Sequence, residues 1–248
     1  MNPHESGRPG AQQETVLPRR TLLLGGAAVV AGLAISRRAA FAAEEAVVIP
    51  PPAFDNPKAA GDLKTAVLAG GCFWGVHGVY QRVNGVHKVL SGYSGDSRAK
   101  AHYELVSTGT TTHAESVEIT YDPAIVSYGE LLQIFFSVVH DPTQLNRQGP
   151  DVGTQYRSAI FYGDDNEKKI AEDYIAQLND AKVFGLPIVT RVNPLNAFYA
   201  AEDYHQDFLL HNPNYPYIVI NDLPKVKNLE RLFPEKTMAE PVWVTKAN

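Results

Sequence analysis

The stretch Lys64-Thr-Ala-Val-Leu-Ala-Gly-Gly-Cys-Phe-Trp-Gly75 decides the fold where the globular region begins. Residues 64–69 have the composition of a short strand, the Gly-Gly pair predicts a turn, and a helix is predicted to begin at Cys72. A cysteine there would lie among the unpaired N–H groups at the positive end of a helix dipole, which favours thiolate over thiol. The alternative is that Cys72 is a small buried hydrophobic residue with two aromatic neighbours, Phe73 and Trp74.

The composition is that of a soluble globular protein and excludes several kinds of site. The 248 residues are 44% hydrophobic and 20% charged, with a formal net charge of −5. A single cysteine excludes an internal disulfide and any metal site built from several cysteines. The chain has no basic patch with interleaved aromatic residues, so nucleic acid is not an expected partner.

Residues 1–42 have the pattern of a secretory signal. Arg19 and Arg20 precede an apolar stretch that runs to Ile35, and small residues at Ala40-Phe-Ala42 suit cleavage. The paired arginines predict export by the twin-arginine route, and therefore a periplasmic location. The alternative is an uncleaved membrane anchor, but the apolar stretch of about 15 residues is shorter than the roughly 20 that span a bilayer. No membrane span is expected after cleavage.

The remaining chain divides into three predicted parts. Residues 43–62, with Pro50-Pro-Pro52, read as a Pro-rich linker. Residues 63–224 carry the strand and helix signals of one compact domain, and residues 225–248 read as a C-terminal tail. Strand patterns alternate irregularly with helix patterns, which predicts an α+β fold with helices packed on a mostly antiparallel sheet. Strands are expected at 64–69, 86–93, 116–121, 156–162 and 188–192.

Helices are predicted to begin at Cys72, Ser127 and Asp164 and near Asn196. Ser127 and Glu130 form a capping-box pattern ahead of an apolar run, so a helix is expected to begin there. Another helix is predicted from near Asn196, with apolar residues on one face, and it should end at Asn212-Pro213.

Glu115 is the strongest candidate for acid–base chemistry on local pattern alone. In a strand it shares a face with Val117, Ile119 and Tyr121. A carboxylate on an apolar face is desolvated, which raises its pKa toward the range of a general acid at neutral pH. The alternative places Glu115 at a frayed strand edge in water.

Other polar residues give weaker signals. The loop Gly149–Ser158 could place Asp151 and Tyr156 at a sheet edge as polar site groups, or it could be an ordinary loop. The histidines lack metal-ligand spacing, so no metal is expected. His113 is a conceivable base for a thiol hydrolase.

The sequence resembles the A-type peptide methionine sulfoxide reductases. The resemblance rests on motifs that follow one another over about residues 63–212: Gly71-Cys-Phe-Trp-Gly75, Gly92-Tyr-Ser-Gly95, His113-Ala-Glu115, Tyr121-Asp-Pro123, His140-Asp-Pro142, Gly153-Thr-Gln-Tyr-Arg-Ser158 and Ala201-Glu-Asp-Tyr-His-Gln206. It implies a ferredoxin-like two-layer α/β sandwich with long excursions. It also implies repair of oxidative damage by thiol-dependent reduction of methionine S-sulfoxide, free or in proteins.

The resemblance assigns expected roles to individual residues. It makes Cys72 the nucleophile that becomes a sulfenic acid, and Glu115 the acid that protonates the sulfoxide oxygen. By the same resemblance, Tyr103 and Tyr156 are expected to supply the hydroxyl groups that bind that oxygen. Phe73 and Trp74 are expected to form the walls around the S-methyl group, and Asp151 is expected to be a further polar residue of the pocket.

The chain departs from many family members because residues 225–248 contain no resolving cysteine. No bound cofactor is implied, and an external thiol, either thioredoxin-like or small, is expected to reduce Cys72. The expected substrates are oxidised proteins or peptides, and the protein is expected to act as a monomer. The alternatives are another thiol hydrolase or peroxidase, and a non-catalytic peptide-binding module.

Overall fold

A six-stranded sheet organises the protein in its computed structural model, which describes residues 46–245. The predicted signal at 1–42 and the first residues of the predicted linker lie outside the described residues. The strands are β1 Lys64–Gly70, β2 Val86–Ser94, β3 Ala114–Tyr121, β4 Arg147–Gln148, β5 Asp151–Val152, β6 Ser158–Tyr162, β7 Arg191–Pro194 and β8 Phe198–Ala200. β4 and β5 form a separate small hairpin, and the other strands form the six-stranded sheet.

Helices occupy much of the chain between these strands. In residues 46–245, no helix is both long enough and apolar enough to cross a bilayer. A π-helical segment, Phe135–Val139, continues α3, and a second, Ile218–Asp222, precedes α6. The α-helices are α1 Phe73–Tyr80, α2 Tyr103–Val106, α3 Tyr128–Ile134, α4 Asp165–Asp180, α5 Phe208–His211 and α6 Leu223–Leu232.

The sheet is mostly antiparallel, as predicted. Its strand order is β7-β6-β1-β3-β2-β8, and only the pair β6–β7 is parallel. β1 lies between β3 and β6, where Leu68 pairs with Val117 on one side and with Ile160 on the other. The chain runs β1-α1-β2-β3-α3-β6 through the four central strands, so the fold is a mixed α/β arrangement on a single sheet.

The main core lies on the face of the sheet that α1, α3, α4 and α6 cover. Leu68, Ile119 and Ile160 contribute from the strands to one large cluster of buried apolar residues. A smaller cluster on other strand positions includes Val67 and Phe161. Because burial of apolar area dominates folding, this two-sided packing fixes the register of β1 and β3, and with it the positions of Cys72, which follows β1, and of Glu115 on β3.

The capping box predicted at the start of α3 is confirmed. The Ser127 hydroxyl accepts from the Glu130 N–H at 3.1 Å, and the Glu130 carboxylate accepts from the Ser127 N–H at 2.9 Å. The Asp55 carboxylate adds a bond from the Gly129 N–H at 2.9 Å. The start of α3 is therefore held by its own sequence and by the segment that precedes the sheet.

The Pro-rich segment runs along the surface of the domain. Val47 N–H donates to Ser137 O at 3.0 Å, and the Tyr174 hydroxyl donates to Pro50 O at 2.6 Å. Ile49 is buried in the main core. The residues from 46 onward are thus tied to α3 and α4, which differs from the free tether that their composition predicts, because backbone carbonyls beside prolines remain available as acceptors.

The predicted boundary after residue 224 falls inside α6. Val226 and Leu229 of this helix are buried, and Leu229 belongs to the main core. Pro224 occupies the first turn of α6, a position that proline tolerates because its missing N–H would have no helical partner there. Residues 225–232 are therefore part of the packed domain.

The continuous helix predicted from near Asn196 is wrong. This stretch contains β8, a 3₁₀ turn at Asp203–His205, and only then the short helix α5. Asp207 has φ +50°, which interrupts any helix between the turn and α5. The Gln206 side chain instead bonds to both the N–H and the carbonyl of Ser91 in β2, at 2.9 and 3.0 Å.

Candidate active site

Cys72 lies at the junction of β1 and α1. Gly71 has φ +96°, and a Cβ there would lie 2.7 Å from the Gln148 side chain, so the turn requires glycine. Cys72 then takes the N-cap position of α1, and its side chain is buried, with 8% of the residue exposed. The Gly-Gly turn thus places the thiol at the first turn of a helix, as the sequence predicts.

The free thiol is held in its protonated form. Burial raises the pKa of Cys72 well above its ordinary value, and Glu115, when ionised, and Asp222 raise it further. The Trp74 N–H opposes these effects. The thiolate expected from the helix dipole is therefore not the resting state, because desolvation and nearby carboxylates outweigh a partial charge at one helix end.

Glu115 lies on β3 directly beside the start of α1. It pairs with Tyr93 across the sheet, is 2% exposed, and its Oε2 accepts from the Phe73 N–H at 3.1 Å. Burial raises its pKa to about 8, with the charges of Asp151 and Asp222 contributing. Glu115 is thus buried rather than hydrated at a strand edge, and it carries a proton at neutral pH.

Tyr103 is the first residue of α2, and Tyr156 is the last residue of a 3₁₀ turn. Both phenol groups interact electrostatically with Glu115 and Cys72. Burial raises the pKa of each hydroxyl, and Glu115 and Cys72, when ionised, raise both further. The Glu202 carboxylate holds the start of α2, since it accepts from the Tyr103 N–H and from the Tyr93 hydroxyl, each at 2.9 Å. Both phenols therefore stay protonated and can donate hydrogen bonds.

Asp151 lies on β5 and accepts a hydrogen bond from the Tyr217 hydroxyl. Burial raises the pKa of the Asp151 carboxyl, although the Tyr217 bond and the charge of Lys225 lower it. Asp151 and Glu115 are electrostatically coupled, so the hairpin of β4 and β5 brings a second carboxyl group to the site.

Two aromatic residues that follow Cys72 form a rigid cluster. The Phe73 ring is buried and lies 5.0 Å from the ring of His205. The partly exposed Trp74 stacks on Phe208 at 3.8 Å, with 7° between the ring planes. Its Nε1–H donates to His205 Nδ1 at 3.1 Å, which fixes the orientation of the indole. These contacts support an apolar wall beside the thiol.

The histidines singled out in the sequence have structural partners. His113 Nε2 lies 3.1 Å from Ser97 O, and His140 lies between Phe135 O and the Ser158 hydroxyl at 3.1 and 2.7 Å. Burial lowers the pKa of His140 to about 3, so its ring is neutral. Over residues 46–245, no group of three or more His, Cys, Asp or Glu side chains is placed to hold a metal ion.

Comparison with known proteins identifies the family. The family described as peptide methionine sulfoxide reductase matches residues 64–237. The chain is 60% identical to "Peptide methionine sulfoxide reductase MsrA 2" of Mesorhizobium japonicum over 77% of this chain and 98% of that protein. It is 55% identical to the protein of the same name from Synechocystis over 71% of this chain and 82% of that one. The chain belongs to the peptide methionine sulfoxide reductase family.

Solved structures agree with this assignment. Methionine sulfoxide reductase A of Corynebacterium diphtheriae is 32% identical, with a TM-score of 0.54 over 70% of this chain and 88% of that one. Reduced Mxr1 of Saccharomyces cerevisiae is 35% identical, with a TM-score of 0.55 over 62% of this chain and 87% of that one. The protein is a peptide-methionine (S)-S-oxide reductase, an oxidoreductase that reduces methionine S-sulfoxide to methionine at the expense of thiols.

The structure of the reductase brings together all the residues singled out for the site and adds others. Tyr217 and Asp222 come from the segment that leads into α6, Lys225 lies in the first turn of α6, and all three interact electrostatically with the site. Sequence reasoning missed them because their contacts with β5 and α1 are long-range. Pro224 is a sequence signal for a helix start, but it does not indicate which part of the fold that helix contacts.

Proposed function

We propose that Cys72 attacks the sulfur of methionine S-sulfoxide and that Glu115 protonates its oxygen. One observation carries the assignment: Glu115 is buried, accepts from the N–H of the residue that follows Cys72, and has a pKa of about 8. A sulfoxide oxygen departs poorly until it is protonated, so an acid and a thiol must face each other across the bound sulfur.

The proposed step balances without an added proton. Glu115 gives its proton to the sulfoxide oxygen while the Cys72 sulfur attacks, and the thiol proton returns to Glu115. The attack forms an S–S bond between Cys72 and the sulfoxide sulfur. The S–O bond of the substrate then breaks as the oxygen transfers to the Cys72 sulfur, and the S–S bond breaks with it, which yields methionine and Cys72 sulfenic acid. The sulfoxide sulfur is reduced and the cysteine sulfur is oxidised by the same two electrons.

The neighbouring groups have proposed binding roles. Tyr103 and Tyr156, both protonated, donate hydrogen bonds to the sulfoxide oxygen, which strengthen as negative charge develops there. Phe73 and Trp74 pack against the S-methyl group. Asp151, held by the Tyr217 hydroxyl, is the further polar residue of the pocket.

A single-turnover experiment with separated epimers tests this assignment. One equivalent of a peptide with methionine S-sulfoxide, without reductant, is expected to yield one equivalent of methionine and a dimedone adduct at Cys72. Excess substrate should then leave the enzyme stalled, because the chain has no second cysteine. The R epimer is the matched control and should yield no methionine. Two methionines released per chain without a donor, or equal use of both epimers, would contradict the proposal.

An external thiol is proposed as the electron donor. The sulfenic acid on Cys72 cannot be resolved within the chain, so a thioredoxin-like protein or a small thiol must attack it. That thiol displaces water and forms a mixed disulfide, and a second thiol then releases Cys72. The proposed substrates are oxidised proteins or peptides, and the proposed active form is a monomer.

Export by the twin-arginine route, and hence a periplasmic location, is also proposed. It is supported by Arg19-Arg20 and by the Ala40-Phe-Ala42 site. Replacing both arginines with lysine is expected to retain the full-length protein in the cytoplasm, as measured by cell fractionation and immunoblotting. Lysine keeps the positive charge, so continued export of the double variant would indicate the general secretory route instead.

We further propose that the fold is a ferredoxin-like two-layer sandwich with long excursions. The succession β1-α1-β2-β3-α3-β6 and the central order β6-β1-β3-β2 support this. β7, β8 and the hairpin of β4 and β5 would then be additions, and the hairpin is the addition that supplies Asp151.

A further inference from the structure

A buried ion pair lies against the first turn of α1, next to Cys72. Asp222 is fully buried and Lys225 is 7% exposed, and Lys225 Nζ lies 3.8 Å from Asp222 Oδ1. A Cβ at Gly75 would lie 2.2 Å from Asp222 Oδ1 and 3.3 Å from Lys225 Nζ. The pair therefore reaches the backbone of α1 only because position 75 is glycine.

The position of this carboxylate bears directly on the thiol. Cys72 is the N-cap of α1, and Gly75 is the third residue of that helix. Backbone N–H groups in the first turn carry partial positive charge that favours an anion. Asp222 already supplies a negative charge at this place, so a thiolate on Cys72 would be a second anion in the same buried region.

Charged and titratable groups surround the pair on several elements. The Lys225 charge acts on Asp151 of the β4–β5 hairpin and on His140 after α3, and the Asp222 charge acts on Glu115 of β3 and on Tyr217. Asp151 also acts on Cys72, and the phenols that interact with Cys72 include Tyr103, Tyr156 and Tyr217.

We infer that Asp222 and Lys225 are positioning residues for the reduction, acting through Cys72: Asp222 opposes formation of the thiolate in the free enzyme, and Lys225 moderates that opposition. The inference rests on the proposed role of Cys72 as nucleophile. Burial leaves little water or salt to screen these charges, so their effects on the thiol are large compared with those of surface charges.

This arrangement has a consequence for the reaction. Burial raises the pKa of both Cys72 and Glu115, and the Asp222 charge adds to this effect, so both groups keep their protons in the free enzyme. Oxidants and alkylating agents react with the thiolate form of cysteine, so a protonated Cys72 is protected from them. The sulfoxide, held beside Glu115, is then the partner that draws the thiol into reaction.

Two substitutions with opposite expected effects test the inference. The pH dependence of Cys72 alkylation by iodoacetamide gives the apparent pKa of the thiol in the folded enzyme. Asp222→Asn keeps the shape of the side chain and is expected to lower that pKa by about one unit, so that alkylation at pH 7 is about tenfold faster. Lys225→Gln removes the positive charge beside Asp222 and is expected to raise the Cys72 pKa and slow alkylation.

The matched control is Lys227→Gln, which removes an exposed lysine from the same helix, α6, and should leave the profile unchanged. An unchanged profile for Asp222→Asn, or shifts of both variants in the same direction, would overturn the inference, since loosened packing alone would increase access in both. If Asp222→Asn does not fold, Lys225→Gln alone tests the inference. An alkylation profile of Lys225→Gln identical to that of wild type would then overturn it. Loss of turnover in Cys72→Ser separates these results from failure of the proposed nucleophile.

Discussion

Cys72→Ser is expected to lower reductase turnover to below about 1% of wild type, a loss of at least about 10²-fold. A serine hydroxyl is a far weaker nucleophile than a thiol, and the chain contains no second cysteine to replace it. The measurement is methionine release from a methionine S-sulfoxide peptide with excess dithiothreitol, analysed by chromatography. Lys227→Gln, on the surface of α6, is the matched control and should retain wild-type turnover.

The fold of this variant must be measured separately. Cys72 is buried, and a buried hydroxyl without a good partner costs about 1–3 kcal/mol. A lower thermal midpoint with an unchanged circular dichroism spectrum is therefore expected. Residual turnover above about 1% in a folded Cys72→Ser variant would show that another group carries out the reaction.

Local sequence patterns predict the central part of the site well. The Gly-Gly turn places Cys72 at the start of a helix because the strand before it and the helix after it both have clear signals. Strand alternation places Glu115 on the side of the main core with Val117 and Ile119, and the structure buries it there. Both inferences need only a few consecutive residues, since the periods of strands and helices fix which side chains share a face.

The charge state of Cys72 shows what local patterns omit. The helix start predicts a thiolate, yet the thiol pKa is raised. The reversal comes from burial and from Asp222, which lies 150 positions along the chain from Cys72. No periodicity links α6 to α1, so the sequence alone cannot place a carboxylate beside Gly75.

The helix predicted around Gln206 is wrong for a related reason. Apolar spacing predicts a helix from near Asn196, but backbone pairing of β8 with β2 and the side-chain bonds of Gln206 to Ser91 favour a different path. These bonds cross the sheet edge, so tertiary contacts override a local helix preference.

Glu115→Gln is expected to slow the single-turnover rate of methionine formation by about 10²–10⁴-fold at pH 7, which is the usual contribution of general acid catalysis. Glutamine can still accept from the Phe73 N–H, so the geometry at the start of α1 should persist. It cannot supply a proton to the sulfoxide oxygen. Rapid-quench measurement of methionine release in the first turnover isolates this step, and Glu118→Gln, on the opposite face of β3, is the matched control.

The pH dependence gives the sign of the Glu115 effect on rate and on stability. With a pKa of about 8, Glu115 is an acid below that pH, so the wild-type rate should fall as pH rises through 8. The Glu115→Gln variant should not show this fall in rate with rising pH.

The pKa of Glu115 in the folded protein lies above the ordinary value of 4.5, so the stability that the protonated carboxyl contributes is fully present below pH 4.5 and is lost as pH rises toward 8. The thermal midpoint of Glu115→Gln, relative to wild type, should therefore increase between pH 5 and pH 9. A relative midpoint that stays constant over this range, together with an unchanged rate profile, would place Glu115 outside the reaction.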